Sequence, residues 1–242
     1  MQTTVQRGNA AVGAIEAAVV APLHPGMRGF DINRPLTAAA ARAFKMHGYE
    51  FAYRYIWRDH ARPNDLTAAE IETILGAGLG LGIVQHYAGD GWIPSATLGG
   101  QYGAAAAAAL ESLRIPLGAA VFCDLEGVAD GTPNEMVEDY ARAWAFVLAS
   151  ASRRPRGLYV GWGSRLGSDA LYRLPFELYW RALNLNDDQI PAHRGFCMRQ
   201  REATAADIPP GLGLTTADFD VNTVSGDSLG GFPSVLMPRV LA

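Results

Sequence analysis

The feature that most constrains the fold is an alternation of short apolar runs with segments of helical pattern along most of the chain. The runs are rich in β-branched and aromatic residues, which is typical of buried strands. Strands separated by helices form parallel sheets, and eight such units in about 250 residues are typical of a closed (β/α)8 barrel. The predicted strands are Met27–Ile32, Phe51–Trp57, Leu81–Tyr87, Ala119–Glu126, Gly157–Trp162, Leu178–Leu183, Gly195–Arg201 and Asp218–Thr223.

Helix start signals lie between the early strands. Thr37 precedes an alanine-rich segment, and Thr67-Ala-Ala-Glu70 and Thr132-Pro133-Asn134-Glu135 have the pattern of a capping box. The run Ala104–Ala109 is interpreted as a closely packed helix. The connections after the fifth and sixth strands leave room only for short helices. We therefore expect an α/β barrel of the TIM type that is irregular in its second half.

The domain organisation follows from the same pattern. Residues 27–223 are predicted to form one barrel domain, residues 1–26 a leader that can be disordered, and residues 224–242 a C-terminal tail. The apolar stretch Ala10–Pro22 makes a poor signal peptide, because Glu16 interrupts it and Arg7 is the only positive charge before it. An open doubly wound sheet is the alternative fold, but no Gly-x-Gly-x-x-Gly turn follows the first strand.

Composition excludes several classes of function. A net charge of −4 with 18% charged residues argues against a nucleic-acid binder, and no apolar stretch reaches the ~20 residues of a membrane span. The only lysine, Lys45, belongs to the first predicted helix, which excludes a Schiff base on a strand-end lysine. The histidines are not clustered, and Cys123 and Cys197 lie three strands apart. We expect neither a metal nor a cofactor nor a disulfide.

One predicted strand ends in two carboxylates. In Val121-Phe122-Cys123-Asp124-Leu125-Glu126, the alternation of a strand places Asp124 and Glu126 on one face, with Cα atoms about 6.5–7 Å apart. Crowded carboxylates acquire different pKa values, so one can stay protonated as an acid while the other is charged. Glycoside hydrolysis needs such a pair. The alternative is that the two residues cap a loop or bind an arginine.

Other strand ends supply companions for this pair. Asp31 ends the first strand and Asp220 lies in the last, so the two would become neighbours when the barrel closes. Asp31 could instead cap the following helix. Arg54, within the second strand, could neutralise an inward carboxylate or form an ion pair across a gap between helix and strand.

Aromatic and amide side chains near strand ends suit the binding of sugars, whose C–H faces stack on flat rings and whose hydroxyls meet polar groups. Some of the tryptophans could instead pack under long loops. Asp90 lies on a loop that could form one wall of a cleft. The candidate binding residues are Arg54, Gln85, Trp92, Tyr159, Trp162, Trp180, Gln200 and Asn222.

Several of these segments, in this order, resemble a known family: the glycoside-hydrolase-like proteins of domain of unknown function 1906, related to the family 25 lysozymes. The resemblance runs from about Gly29 to Asn222 and implies a (β/α)8-like barrel. It is carried by Gly29-Phe30-Asp31, Tyr53-Arg54-Tyr55, Leu66–Glu70 with Ala77-Gly78-Leu79, Asp124-Leu125-Glu126, Tyr159-Val160-Gly161, Trp180-Arg181-Ala182 and Asp220-Val221-Asn222.

The resemblance also implies roles for the carboxylates. Glu126 would be the general acid/base, and Asp124 would orient or stabilise the N-acetyl group of the substrate or act as nucleophile. Asp31 and Asp220 would tune this pair and bind sugar. It further implies retention of configuration with assistance from the substrate. The sequence departs from the family where Arg201 follows Gln200 in place of an aromatic residue, and where the sixth and seventh strands lie close together.

The leading hypothesis is a bacterial glycosidase that cleaves a β-linked N-acetylated glycan, with peptidoglycan as the favoured substrate. It would be a monomer, and secreted or directed to the cell envelope if peptidoglycan is the substrate. The second hypothesis is a glycan-binding barrel that has lost turnover. The third is a barrel enzyme for a small phosphorylated metabolite, held by the glycine-rich segment 226–231.

Overall fold

A computed structural model of the chain describes residues 18–185 and 188–239. Its strands are β1 (Val19–Pro22), β2 (Arg28–Asp31), β3 (Phe51–Ile56), β4 (Gly80–Gln85), β5 (Val121–Leu125), β6 (Arg156–Val160), β7 (Leu178–Arg181), β8 (Met198–Glu202), β9 (Asp220–Val224) and β10 (Ser234–Met237). Its α-helices are α1 (Ala38–Met46), α2 (Ala68–Gly76), α3 (Ala96–Ser112), α4 (Asn134–Ala151) and α5 (Ser168–Arg173).

Strands β2 to β9 form a closed barrel, in which β4 pairs with β5 and β9 pairs back onto β2. This confirms the predicted TIM-type barrel and its eight strands. Strands β2 to β8 run parallel, whereas β9 is antiparallel to both of its neighbours. Between β8 and β9 the structure has a 3-10 turn, Ala205–Asp207, and no α-helix. The connection from β8 leaves and re-enters the barrel at the same end, so β9 runs in the opposite direction.

The amino-terminal end of the barrel is closed by a pair of strands that the sequence did not predict. Strand β1 pairs antiparallel with β10, and Leu236 of β10 pairs with Leu81 at the start of β4. Val19–Pro22 and Ser234–Met237 therefore pair with the barrel sheet, outside the predicted domain of residues 27–223. Most of the stretch considered as a signal peptide lies outside the described residues.

The barrel interior is filled by aromatic side chains that pack over glycines. The rings of Tyr53 and Phe122 lie 4.8 and 5.6 Å from that of Trp180. A Cβ atom on Gly82 would lie only 2.4 Å from the Tyr53 ring, so this strand needs glycine there. The packed rings form a solid floor, and polar chemistry is confined to the end of the barrel above it.

The helices pack outside the barrel largely as their start signals predict. The hydroxyls of Thr37 and Thr67 accept hydrogen bonds from the backbone N–H groups three residues ahead, at 3.1 and 3.2 Å. The second predicted capping box is wrong, because α4 begins after Pro133 without a side-chain cap. Cys123 faces outward onto Tyr140, and both cysteines are free. Within the described ranges, no helix is both long and apolar enough to span a membrane.

Candidate active site

The carboxyl end of β5 carries the two carboxylates. Asp124 points into the barrel and is 4% exposed, and Glu126 follows the last residue of the strand. Gly161, after the neighbouring β6, gives Glu126 its space, since a Cβ atom on this glycine would lie 2.5 Å from Glu126 Oε2. Asp31 on β2 pairs directly with Asp220 on β9. The antiparallel direction of β9 places Asp220, its first residue, at the same end as the carboxylates that end parallel strands.

Asp31 sits at the centre of a hydrogen-bond network. Its Oδ1 accepts from the hydroxyl of Tyr55 at 3.0 Å. Its Oδ2 accepts from the side-chain amides of Gln200 and Asn222, both at 2.8 Å. Three donors to one carboxylate favour its charged form. Burial raises the pKa of Asp31, and these three hydrogen bonds act in the opposite direction.

Both amides are held in one orientation by groups that can only donate. The indole Nε1 of Trp180 donates to Asn222 Oδ1 at 3.0 Å, so the amide nitrogen of Asn222 must face Asp31. The backbone N–H of Leu183 donates to Gln200 Oε1 at 3.2 Å, with the same consequence for Gln200. Tyr159 also donates its hydroxyl to this oxygen, at 2.8 Å. The network presets the position of Asp31.

The other carboxyl groups have strongly raised pKa values. Burial, with the charges of Glu126 and Asp31, raises the pKa of Asp124 well above its ordinary value. Burial, with the charges of Asp31, Asp90 and Asp220, raises the pKa of Glu126 to about 7. Burial, with the charges of Asp31 and Glu202, raises the pKa of Asp220 to about 7. The group therefore holds protons near neutral pH, which a general acid requires.

One atom of this group has no hydrogen-bond partner. Asp124 Oδ1 is buried and unpaired among the described residues. An unpaired buried polar atom costs free energy, and in a native protein it marks a position that a ligand or water can fill. Glu126, two residues further on, is only partly buried.

Two loops border the carboxylates. The indole of Trp92 donates to the backbone carbonyl of Glu126 at 2.7 Å, so this tryptophan positions the loop after β5. Tyr87 donates its hydroxyl to Asp90 at 2.9 Å on the same side. Trp162, after β6, accepts a backbone hydrogen bond from Gly127 at 2.8 Å and exposes its ring.

Sequence reasoning did not identify two residues that support Asp31: Tyr55 on β3 and His86 directly after β4. The ring of Tyr55 stacks on His86, with centroids 4.6 Å apart, and His86 Nε2 lies 3.1 Å from Asp65 Oδ1. Burial lowers the pKa of His86 to about 4, so this ring is neutral at pH 7. The sequence does hold a signal for the role of Tyr55. Side chains alternate between the two faces of β3, so Tyr55, two residues after the inward-facing Tyr53, also faces inward.

Three predicted binding residues lie away from the open end of the barrel. Arg54 is fully buried and takes the alternative role, an ion pair across the gap to α2, with its Nε 2.6 Å from Glu70 Oε1. Gln85 is buried, and its Oε1 accepts a hydrogen bond from the indole Nε1 of Trp144 on α4. Trp180 belongs to the interior floor, where it orients Asn222. The structure thus places these three side chains out of contact with solvent, because Arg54 and Gln85 occupy the outward face of their strands under the helices and Trp180 is packed in the barrel interior.

The glycine-rich segment 226–231 lies at the opposite end of the barrel. Its turn is occupied by the carboxylate of Asp227, which accepts from the backbone N–H groups of Leu229 and Gly231 at 3.0 and 2.7 Å. A phosphate would compete with this internal anion. The arrangement argues against the phosphorylated metabolite.

The closed barrel and the carboxylates at its carboxyl end define a glycoside hydrolase-like protein. The model of the Rv2525c-like, glycoside hydrolase-like domain family matches residues 42–220, so the chain belongs to this family. The resemblance that the sequence motifs indicate is thereby confirmed. No curated protein matches the sequence.

Solved structures show the same fold at low sequence identity. The Tat-secreted protein Rv2525c of Mycobacterium tuberculosis, solved in complex with L-tartrate, is 17% identical with a TM-score of 0.57, over 84% of this chain and 99% of that chain. A bacterial lysozyme from Streptomyces coelicolor is 16% identical with a TM-score of 0.53, over 84% and 94%. A family 25 glycosyl hydrolase from Bacillus anthracis is 13% identical with a TM-score of 0.53, over 86% and 94%. These structures share the barrel fold of this chain.

Proposed function

We propose that the protein is a glycosidase that cleaves a β-linked N-acetylated glycan, with peptidoglycan as the favoured substrate. The observation that carries the proposal is the placement of Glu126 beside the buried Asp124 at the end of β5, where Asp124 Oδ1 has no partner among the described residues. Burial and neighbouring charges raise the pKa of Glu126 to about 7. A carboxylic acid that keeps its proton near neutral pH can protonate the oxygen of a glycosidic bond as the bond breaks. The lysozyme folds among the structural neighbours support the choice of substrate.

Asp124 has the complementary role. Its unpaired Oδ1 needs a donor, and the N–H of an acetamido group is a donor of the required kind. A hydrogen bond to Asp124 would favour its charged form and leave the shared proton on Glu126. The charged carboxylate would then hold the acetamido group so that its carbonyl oxygen can attack the anomeric carbon, which gives retention of configuration.

Asp31 and Asp220 complete the site without reacting. Both charges raise the pKa of Glu126, and the hydrogen bonds to Asp31 fix its position. Tyr159, Gln200 and Asn222 bind Asp31 directly or through each other, so we assign them to positioning rather than to contact with sugar. Trp92 positions the loop of Glu126, and Trp162 remains the candidate for stacking on a sugar ring.

The test is the release of reducing ends from purified peptidoglycan by the wild type and by Glu126→Gln. We expect activity in the wild type and a loss of at least about 1,000-fold in the variant, since general acid catalysis contributes up to about 10⁴-fold. Glu202→Gln is a matched control, because Glu202 also lies at this end of the barrel but is exposed on β8.

The outcomes separate the hypotheses. Binding of glycan without any release of reducing ends by the wild type would replace the enzyme by a glycan-binding barrel. Activity that survives in Glu126→Gln would show that another group is the acid. The anomer formed first, followed by NMR, tests retention: inversion would exclude participation of the acetamido group.

A further inference from the structure

A groove of about 600 Å³ lies beside the carboxylates, between the loops that follow β5 and β6. We call it the rim groove; its lining includes Asp130, Asn134, Trp162, Gly163, Arg165 and Gln189. It adjoins the candidate active site, because Gly127, next to Glu126, donates its backbone N–H to the carbonyl of Trp162 at 2.8 Å. A glycan that extends from the carboxylates toward this side would enter the groove.

Trp162 offers a flat apolar surface in the groove. Trp162 is 44% exposed, so a ligand can reach it. The backbone of the same residue is fixed on both sides, by Gly127 and by Asn184 Oδ1, which accepts from the Trp162 N–H at 3.3 Å. An exposed ring on a fixed backbone can stack on the C–H face of a sugar at little cost in conformational entropy.

Arg165 supplies a cation that is only weakly engaged. It forms an ion pair with Asp130, whose side chain is 99% exposed, while its own is 34% exposed. Exposed ion pairs contribute little free energy, so a ligand carboxylate can replace Asp130. The loop keeps Arg165 at a φ of 60°, a left-handed conformation that is unfavourable for a residue with a side chain. Gln189 supports the loop by donating to Ser164 Oγ at 2.9 Å.

We propose that the rim groove is a second binding subsite, for a sugar that carries a carboxylate. Trp162 stacks on the sugar ring, and the planar guanidinium of Arg165 binds the carboxylate with two parallel hydrogen bonds. This rests on the proposed function, because the same glycan must reach the carboxylates of β5. The carboxylates near Glu126 would repel an acidic substituent, so the positive group at the rim determines where the substituent lies.

The test compares two tetrasaccharides, measured by calorimetry with Glu126→Gln protein so that neither is cleaved. One is the neutral β-1,4-linked tetramer of N-acetylglucosamine. The other has the same backbone with a lactyl carboxylate on alternate sugars. We expect the acidic tetrasaccharide to bind more tightly, and Arg165→Gln to weaken its binding about tenfold without affecting the neutral one.

Three further variants sharpen the result. Arg114→Gln is the matched control, because Arg114 has a φ of 53° and lines a different cavity, beside α3; it should change neither affinity. Asp130→Asn should strengthen the binding of the acidic tetrasaccharide about twofold, since it removes a competing carboxylate. Trp162→Ala should weaken the binding of both.

Equal binding of the two tetrasaccharides, unchanged by Arg165→Gln, would overturn the subsite and leave the proposed function intact. Binding of neither, together with no release of reducing ends by the wild type, would overturn both proposals. Equal losses in Arg165→Gln and Arg114→Gln would attribute the effect to the strained backbone and would also overturn the subsite.

Discussion

Two buried aspartates at opposite ends of the barrel are held in opposite ways. At the amino-terminal end, Asp227 accepts hydrogen bonds from two backbone N–H groups and from Arg194 Nε at 2.7 Å. At the carboxyl end, Asp124 is flanked by Glu126 and Asp31, and one of its oxygens has no partner among the described residues. The first arrangement stabilises the fold, whereas the second costs free energy that a bound ligand can recover.

The largest expected effect is on stability, in Asp227→Ala. The change leaves a mostly buried Arg194 without its partner and removes the acceptor from two backbone N–H groups. We expect a loss of about 3 kcal/mol in the free energy of unfolding, measured by urea denaturation. Asp227→Asn, which keeps an acceptor but no charge, should lose less. If both variants unfold at the same urea concentration as the wild type, this end of the barrel does not depend on Asp227.

Asp124→Asn should show the opposite pattern. The amide removes a like charge from a buried cluster, so the free energy of unfolding at pH 7 should be unchanged or about 1 kcal/mol higher. The release of reducing ends should fall about 100-fold, because a neutral amide does not stabilise developing positive charge. A variant that is both less stable and fully active would reverse the roles assigned to the two ends.

Much of the fold was predictable because its signals are local. Each of the eight predicted strands overlaps an observed strand, and the pairing of Asp31 with Asp220 follows from closure of the barrel. The direction of β9 was not predictable, since it depends on the end at which the connection 203–219 re-enters the barrel rather than on a residue pattern. The strand pair β1–β10 was missed because its partners lie more than 200 residues apart and each run is short.

The candidate site was predictable in its carboxylates but not in its supports. Arg54 and Gln85 attracted attention because they are polar residues in apolar strands. Their strands are buried on both faces, so the apolar pattern does not reveal which face is inward. The tyrosines beside Arg54 do face inward, and the inward direction of Tyr55 decides which residue contacts Asp31.

Asp220→Asn should make stability less dependent on pH. The pKa of Asp220 is about 7 in the folded protein and near 4 when unfolded, so the stability it contributes is full below pH 4 and is lost as the pH rises through 7. The full difference corresponds to about 4 kcal/mol, and solvent screening of the partly exposed Asp220 reduces it, so the variant should gain about 1–2 kcal/mol over the wild type at pH 8 and nothing at pH 4. Thermal unfolding at the two pH values measures the difference.

Asp218, two residues before Asp220, is the control for this pH dependence. Hydrogen bonds from Thr215 lower the pKa of Asp218, so its contribution is present above pH 4 and is lost as the pH falls. Asp218→Asn should therefore give no gain at pH 8. Equal behaviour of the two variants would mean that Asp220 is not held in a group of like charges.

The smallest expected effect comes from two tyrosines on β3. Tyr53 belongs to the apolar floor of the barrel, and Tyr55 belongs to the layer above it, which holds the carboxylates of the candidate active site (the carboxylate layer). The hydroxyl of Tyr53 is buried without a hydrogen-bond partner among the described residues, whereas that of Tyr55 donates to Asp31. Tyr55→Phe should lower the release of reducing ends about fivefold, the effect of one ordinary hydrogen bond, because Gln200 and Asn222 still donate to Asp31. Tyr53→Phe should leave activity unchanged and raise the free energy of unfolding by up to about 1 kcal/mol, because an unpaired hydroxyl leaves the interior. Equal activities of the two variants would show that Asp31 acts without the help of Tyr55, and a loss in Tyr53→Phe would place the carboxylate layer deeper in the barrel.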